Sequence, residues 1–128
     1  MSSAITKSVK VEVETEYIAD RSDVERGYYF FAYHVTITNE GEEAVQLISR
    51  HWIITNANGM VEEVKGPGVI GEQPLIEPGG FYKYSSFCPL NTPVGTMHGT
   101  YQMVSDDGEE FDAIIAPFQL AYQKEMFH

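Results

Sequence analysis

Apolar and polar residues alternate with a period of two along most of this chain. From Lys7 to Tyr17, Val9, Val11, Val13 and Tyr17 fall on one side and Lys10, Glu12, Glu14 and Glu16 on the other. That pattern predicts a strand with one dry and one wet face. Gly27 to Asn39 is the strongest strand signal. Tyr29, Phe31, Tyr33, Val35 and Ile37 form an unbroken apolar face, while Tyr28, Phe30, Ala32, His34, Thr36 and Thr38 form a second face that is aromatic at its start and polar at its end. This reads as a central strand whose outer face is either partly covered or bordered by Tyr28 and Phe30 as a binding surface. Val45 to Thr55 predicts the next strand, with neither face purely apolar and with Trp52 directed into the core. Asn56 to Gly59 supplies a hairpin turn, and Met60 to Val64 the returning strand.

A long break follows from Gly66 to Gly80, rich in glycine and proline. Strands are expected again over Phe81 to Phe87, stopping at Cys88-Pro89, and from about Met97 to Val104. Asp106 to Glu109 is a tight turn, Glu110 to Ile115 returns, Pro117 interrupts or ends that strand, and Phe118, Leu120 and Tyr122 form a last short alternating stretch. Seven to eight strands without an amphipathic helix predict an all-β antiparallel sandwich of the immunoglobulin or fibronectin type III kind. A partly open barrel is the alternative. Residues 1–128 carry no linker or repeat and are read as one domain.

Composition narrows the function. Lys and Arg number 8 against 19 Asp and Glu, a formal charge of −11, so a nucleic-acid backbone would be repelled. No apolar run is long enough to span a membrane, and the N-terminus lacks the apolar stretch of a signal peptide. The single cysteine, Cys88, cannot form an intramolecular disulfide, which suits a reducing compartment. A cytoplasmic protein, a monomer or weak homodimer, is the expectation. With 8 Tyr and 7 Phe in so small a chain, aromatic surplus is the unusual feature. Tyr and Phe offer large contact area with few rotors to freeze, so Tyr28, Phe30, Tyr82 and Tyr84 are candidates for a protein-binding surface.

Chemical motifs are sparse. Gly66, Gly68 and Gly71 spell GPGVIG, the GxGxxG string. In a dinucleotide site that string ends a strand and opens a helix. Here Pro74 and the Pro78-Gly79-Gly80 run forbid the helix, and Pro67 removes an N–H, so a Rossmann fold is rejected. What survives is either a structural loop or a weak anion nest made from the remaining N–H groups. His34, His51, His98 and His128 lack metal-ligand spacing, and the paired acids, Asp106-Asp107 included, sit in turns or edge segments. Cys88 could act as a nucleophile only if His98 approached it; a buried structural thiol is the plainer reading.

Specific residues carry a family resemblance. The stretches HWIITNANG (51–59), VKGPGVIGEQPLIEPGGFYKYSS (64–86) and CPLNTPVGTMHGTYQMVSDDGEEFDAIIAPFQL (88–120) strongly resemble the ApaG family. The resemblance implies a fibronectin type III-like sandwich without the immunoglobulin disulfide. It implies a genetic link to cobalt and magnesium handling, with no established activity and no defined metal ligands. Similar domains in eukaryotic F-box proteins and in a DNA polymerase partner imply protein binding. The resemblance also implies a pyrophosphate contact at Gly66, Gly68 and Gly71. Phe87 stands where many members have glycine, and Ala116 where a proline is frequent. Together these lead to an expectation of a protein-interaction module, no cofactor, and catalysis as the less favoured role. Phosphate-compound or metal-linked binding at the glycine-rich loop is the alternative.

Overall fold

The computed structural model describes residues 1–122. Among these residues nine strands run in the order β1 (Ser2–Thr6), β2 (Val9–Tyr17), β3 (Tyr29–Asn39), β4 (Val45–Asn56), β5 (Val61–Pro67), β6 (Leu75–Ile76), β7 (Phe81–Leu90), β8 (Val94–Ser105) and β9 (Glu110–Ala121). All pairings are antiparallel. One sheet has the order β1-β2-β3-β7; the other has β5-β4-β8-β9, with β6 also on β4. The expected antiparallel sandwich is the observed fold. Among the described residues no helix is long and apolar enough to cross a membrane.

The core follows the alternation. Val11 and Val13 of β2, Phe31, Val35 and Ile37 of β3, Leu47 and Trp52 of β4, Met97 and Tyr101 of β8, and Ile115 and Leu120 of β9 are buried between the sheets. Trp52 meets the rings of Tyr33, Tyr101 and Phe118 at 5.2, 6.2 and 5.9 Å, all edge-on. Such crossed rings set the positive edge of one against the negative face of another.

Four departures from the alternation have local causes. β1 joins β2 through Lys7 and Ser8, both in the left-handed region at φ 46° and 66°. That two-residue hairpin turn usually announces itself with glycine or asparagine, and here it does not. β7 does not stop at Cys88-Pro89 but continues to Leu90. Asn39 N–H donates to the Gly80 carbonyl, which sets the ladder phase so that Pro89 faces the unpaired edge, where its missing N–H costs nothing. β9 likewise passes through Pro117, because Ala116 and Pro117 together lie opposite His98 in a bulge. A second bulge lies in β4 at Ile48. Each bulge switches which parity faces inward. Val45 and Leu47 give way to Trp52 and Ile54, and Ala113 and Ile115 give way to Phe118 and Leu120.

The two sheets are not symmetric at their sides. β1 and β2 lie against β9, and Thr6 Oγ1 accepts from the Ile114 N–H at 3.0 Å. On the other side β7 and β5 end their sheets, each with one edge that pairs with no strand among the described residues.

Candidate interaction surface

The four aromatic residues singled out in the sequence do not share a surface. β7 alternates strictly: Tyr82, Tyr84, Ser86, Cys88 and Leu90 turn inward, and Phe81, Lys83, Ser85, Phe87 and Pro89 turn outward. Tyr82 and Tyr84 are half-buried against the core. The Tyr84 and Tyr101 hydroxyls hydrogen-bond to each other between the sheets. Burial pushes the Tyr84 and Tyr101 hydroxyls well above the usual phenol range, so both stay protonated.

Tyr28 and Phe30 lie on the opposite, outer face, and the structure adds a third ring. Phe30 stacks on Tyr28 at 6.2 Å and on Phe87 of the neighbouring strand at 5.3 Å. Tyr28 is 42% and Phe87 55% exposed, whereas Phe30 between them is buried. The cover comes from residues 18–27. Ser22 Oγ accepts from the Phe30 N–H at 2.9 Å and donates to the Ile18 carbonyl at 2.8 Å. The Ile18 N–H donates to the Phe30 carbonyl at 2.9 Å. This clamp holds the Arg21 guanidinium over Phe30 at 4.7 Å and near Phe87 at 5.9 Å. This face is therefore covered at Phe30, as the first alternative expects, and open at Tyr28. The place of Phe87 in this row was not legible in the sequence, because nothing in its own segment shows that it pairs beside Phe30.

A groove of about 390 Å³ continues the row past Tyr28. Its walls include Ile54, Met60, Val61, Glu62, Pro89 and Leu90, with Met60 68% and Val61 63% exposed. Two cross-links fix the floor. Asn56 Nδ2 donates to Asn91 Oδ1 at 3.0 Å, and the Ala57 N–H to Thr92 Oγ1 at 3.1 Å.

GPGVIG forms a hairpin instead of a phosphate cradle's strand-to-helix turn. Ile70 and Gly71 carry φ of 47° and 76° at its tip, between Val69 and Glu72, which exchange backbone hydrogen bonds at 2.8 and 3.0 Å. The Gly68 N–H is held by the Ile48 carbonyl at 2.8 Å. Gly68 has φ 58°, and a Cβ there would overlap the Glu72 carbonyl. Gly66 leaves room for Arg50, whose Nη1 donates to the Pro67 and Gly68 carbonyls at 3.0 and 2.9 Å. Val69 is 1% exposed and packs into the core. Each glycine thus has a conformational or steric task in shaping the loop. The N–H groups of Gly68 and Val69 are already engaged.

The histidines do not converge. His34 lies on the outer face of the first sheet, between Ser85 Oγ at 2.6 Å and Glu16 Oε1 at 3.1 Å. His51 and His98 lie on the outer face of the second, with His51 Nε2 2.8 Å from Glu63 Oε1. His128 falls outside the described residues. Among the described residues no three His, Cys, Asp or Glu side chains are grouped to hold a metal ion. Cys88 points into the sandwich from the first sheet and His98 out of the second, so that pairing is not formed. Burial pushes the Cys88 thiol up to about 11, which keeps it out of the thiolate form. Asp107 accepts from Ser105 Oγ and the Glu109 N–H, closing its turn.

The ApaG domain matches residues 19–105. The chain belongs to the ApaG domain family. ApaG proteins of Shewanella and of Anaeromyxobacter dehalogenans are 56% and 53% identical over 119 and 120 residues, 93% and 94% of this chain and 94% of each relative. A crystal structure named for an ApaA protein from Bordetella pertussis superposes with a TM-score of 0.88 at 48% identity, covering 91% of this chain and 95% of that one. An X-ray structure from a structural genomics target gives 0.86 at 50% identity, with 98% of both chains covered. The C-terminal domain of wzt, 11% identical with a TM-score of 0.57, shares the fold alone.

Proposed function

We propose that this ApaG chain is a non-catalytic protein-interaction module whose anchor is the row Tyr28, Phe30 and Phe87. The observation that supports this is the stacking of three rings across β3 and β7, two of them exposed, under a clamped arginine. Rigid aromatic rings with little entropy to lose, rimmed by polar groups, are the usual centre of a protein interface. Among the described residues no nucleophile with a positioned base lies beside them. The partner is another protein, not a nucleic acid or a lipid surface, and the chain itself is a monomer or weak homodimer. Phe87 is the most exposed ring of the row, so the partner is expected to read it. The link to cobalt and magnesium handling then belongs to the partner's pathway, with the module acting as an adaptor.

The test is quantitative proximity labelling in cells with the wild-type chain and with Phe87→Ser, followed by binding of the purified partner. The partner should be lost from the Phe87→Ser sample while that variant keeps its fold. A set of captured proteins identical for both chains would overturn the reading. Calorimetry with pyrophosphate, alone and with Mg²⁺ or Co²⁺, addresses the loop at Gly66, Gly68 and Gly71; heat in the micromolar range would transfer the function there.

A further inference from the structure

β5 closes the second sheet with an edge that pairs with no strand among the described residues. The direction of its backbone groups follows from the ladder. The Asn56 N–H donates to the Met60 carbonyl, and the Gly68 N–H to the Ile48 carbonyl. In an antiparallel ladder these bracket alternate hydrogen-bonded pairs, Ile54 with Glu62, Trp52 with Val64 and Arg50 with Gly66. Val61, Glu63 and Lys65 therefore aim their N–H and carbonyl groups away from the sheet. Pro67 has no N–H to offer, so the free ladder ends there.

Free edges are ordinarily blunted by charge, proline or a covering loop. β5 has Lys65 and Pro67 at its far end, but its near end at Met60 and Val61 is apolar, exposed and beside the groove. Among the described residues the only formally charged wall residue of that groove is Glu62, and Glu63 follows it on the outer face. Each copy of the chain carries −11, which disfavours a second copy as the occupant and favours a cationic one.

We infer that the β5 edge takes a short, extended, basic segment of another protein as an added strand, with one apolar side chain of that segment seated in the groove walled by Tyr28, Ile54, Met60 and Leu90. Resting on the interaction-module reading, it names the partner's chemistry: about five extended residues, alternating apolar and Lys or Arg. Main-chain pairing would supply affinity that does not depend on sequence, and the groove and Glu62 would supply selection. The cross-links at Asn56 and Ala57 keep the groove formed before the segment arrives, which limits the ordering cost of binding.

Selection of phage-displayed random decapeptides on the full chain, followed by calorimetry with the synthesised winners, tests this. The winners should be basic with an apolar anchor. Their affinity should fall at least ten-fold with Met60→Lys, with Glu63→Pro, and on N-methylation of alternate peptide amides. It should also weaken as salt is raised. Amide spectra of both variants check the fold; if Glu63→Pro unfolds, Met60→Lys and the methylated peptides carry the test. Failure to enrich any peptide, acidic winners, or affinity unchanged by these alterations would overturn the inference. So would a dimer of the free chain at micromolar concentration that Met60→Lys abolishes, because the edge would then be occupied by a second copy. Loss of cellular partners on Phe87→Ser, with no effect of Met60→Lys, would leave the module reading standing and remove this one.

Discussion

Gly99 shows what a single missing side chain does in this molecule. It pairs with Trp52 on the adjacent strand, and a Cβ at position 99 would overlap the His51 carbonyl and lie 3.2 Å from Trp52 Cα. The glycine therefore makes room for neighbouring backbone, which cannot rotate away as a side chain could. Gly99→Val is expected to destabilise by about 3 kcal/mol, the upper end of core overpacking, read from urea unfolding. The Tyr84 and Tyr101 hydroxyls form a second residue-scale device. Removing either should cost about 1–2 kcal/mol, because the other is left buried without its partner. Removing both should cost less than the sum, and a double-mutant cycle with Tyr84→Phe and Tyr101→Phe measures that coupling. Cys88, buried and with its thiol held near 11, should react with a disulfide reagent at pH 8 only as fast as the domain opens. Urea should accelerate the reaction in step with unfolding.

Among the elements, the β1–β2 hairpin turns through two residues held in the left-handed region. Ser8 has φ 66° without the short amide side chain or absent Cβ that favours this region. Ser8→Gly should stabilise the domain by about 0.5–1 kcal/mol, read as a rise in the urea midpoint. The bulges in β4 and β9 are the opposite case, irregularities that serve the core. In an unbroken strand Trp52 would face away from the side that Val45 and Leu47 share, and the bulge at Ile48 absorbs one residue and turns the parity over. With it, all three reach the interior.

At the scale of the whole molecule, −11 charge makes self-repulsion a standing cost. It concentrates where Glu43 meets Asp107, Asp106 and Glu109. The Asp107 charge, with burial and the other two acids, raises the Glu43 carboxyl above its ordinary range. A carboxyl with a raised folded pKa favours folding in acid and loses that contribution as pH climbs through the carboxylate range. Asp107 runs the other way. Its hydrogen bond from Ser105 lowers its pKa, so its contribution is present at neutral pH and is lost as pH falls through the folded value. Glu43→Gln should therefore raise the urea midpoint at pH 7 and leave it unchanged near pH 3, where Glu43 is already protonated. Added salt should narrow the difference at pH 7.

The period-two pattern alone determined an all-β antiparallel chain, because burying one face of a strand writes itself into every second residue; the packing of two sheets decided for a sandwich over a barrel. Val9 to Tyr17 and Tyr29 to Asn39 were legible for that reason, and the absence of a helix after GPGVIG was legible because Pro74 and the Pro78-Gly79-Gly80 run interrupt one there. The pattern could not reveal where its own phase changes. At Ile48 and at Ala116-Pro117 an extra residue turns the inward parity over, which made β4 look mixed and β9 look like two strands. Only the strand pairing decided that Pro89 faces an empty edge. It alone separated Tyr82 and Tyr84 from Tyr28 and Phe30, and set Phe87 beside Phe30 from 57 residues away in the chain. Local sequence determines which residues alternate. A binding surface is assembled across strands, and the register that assembles it is set by the packing of the entire core.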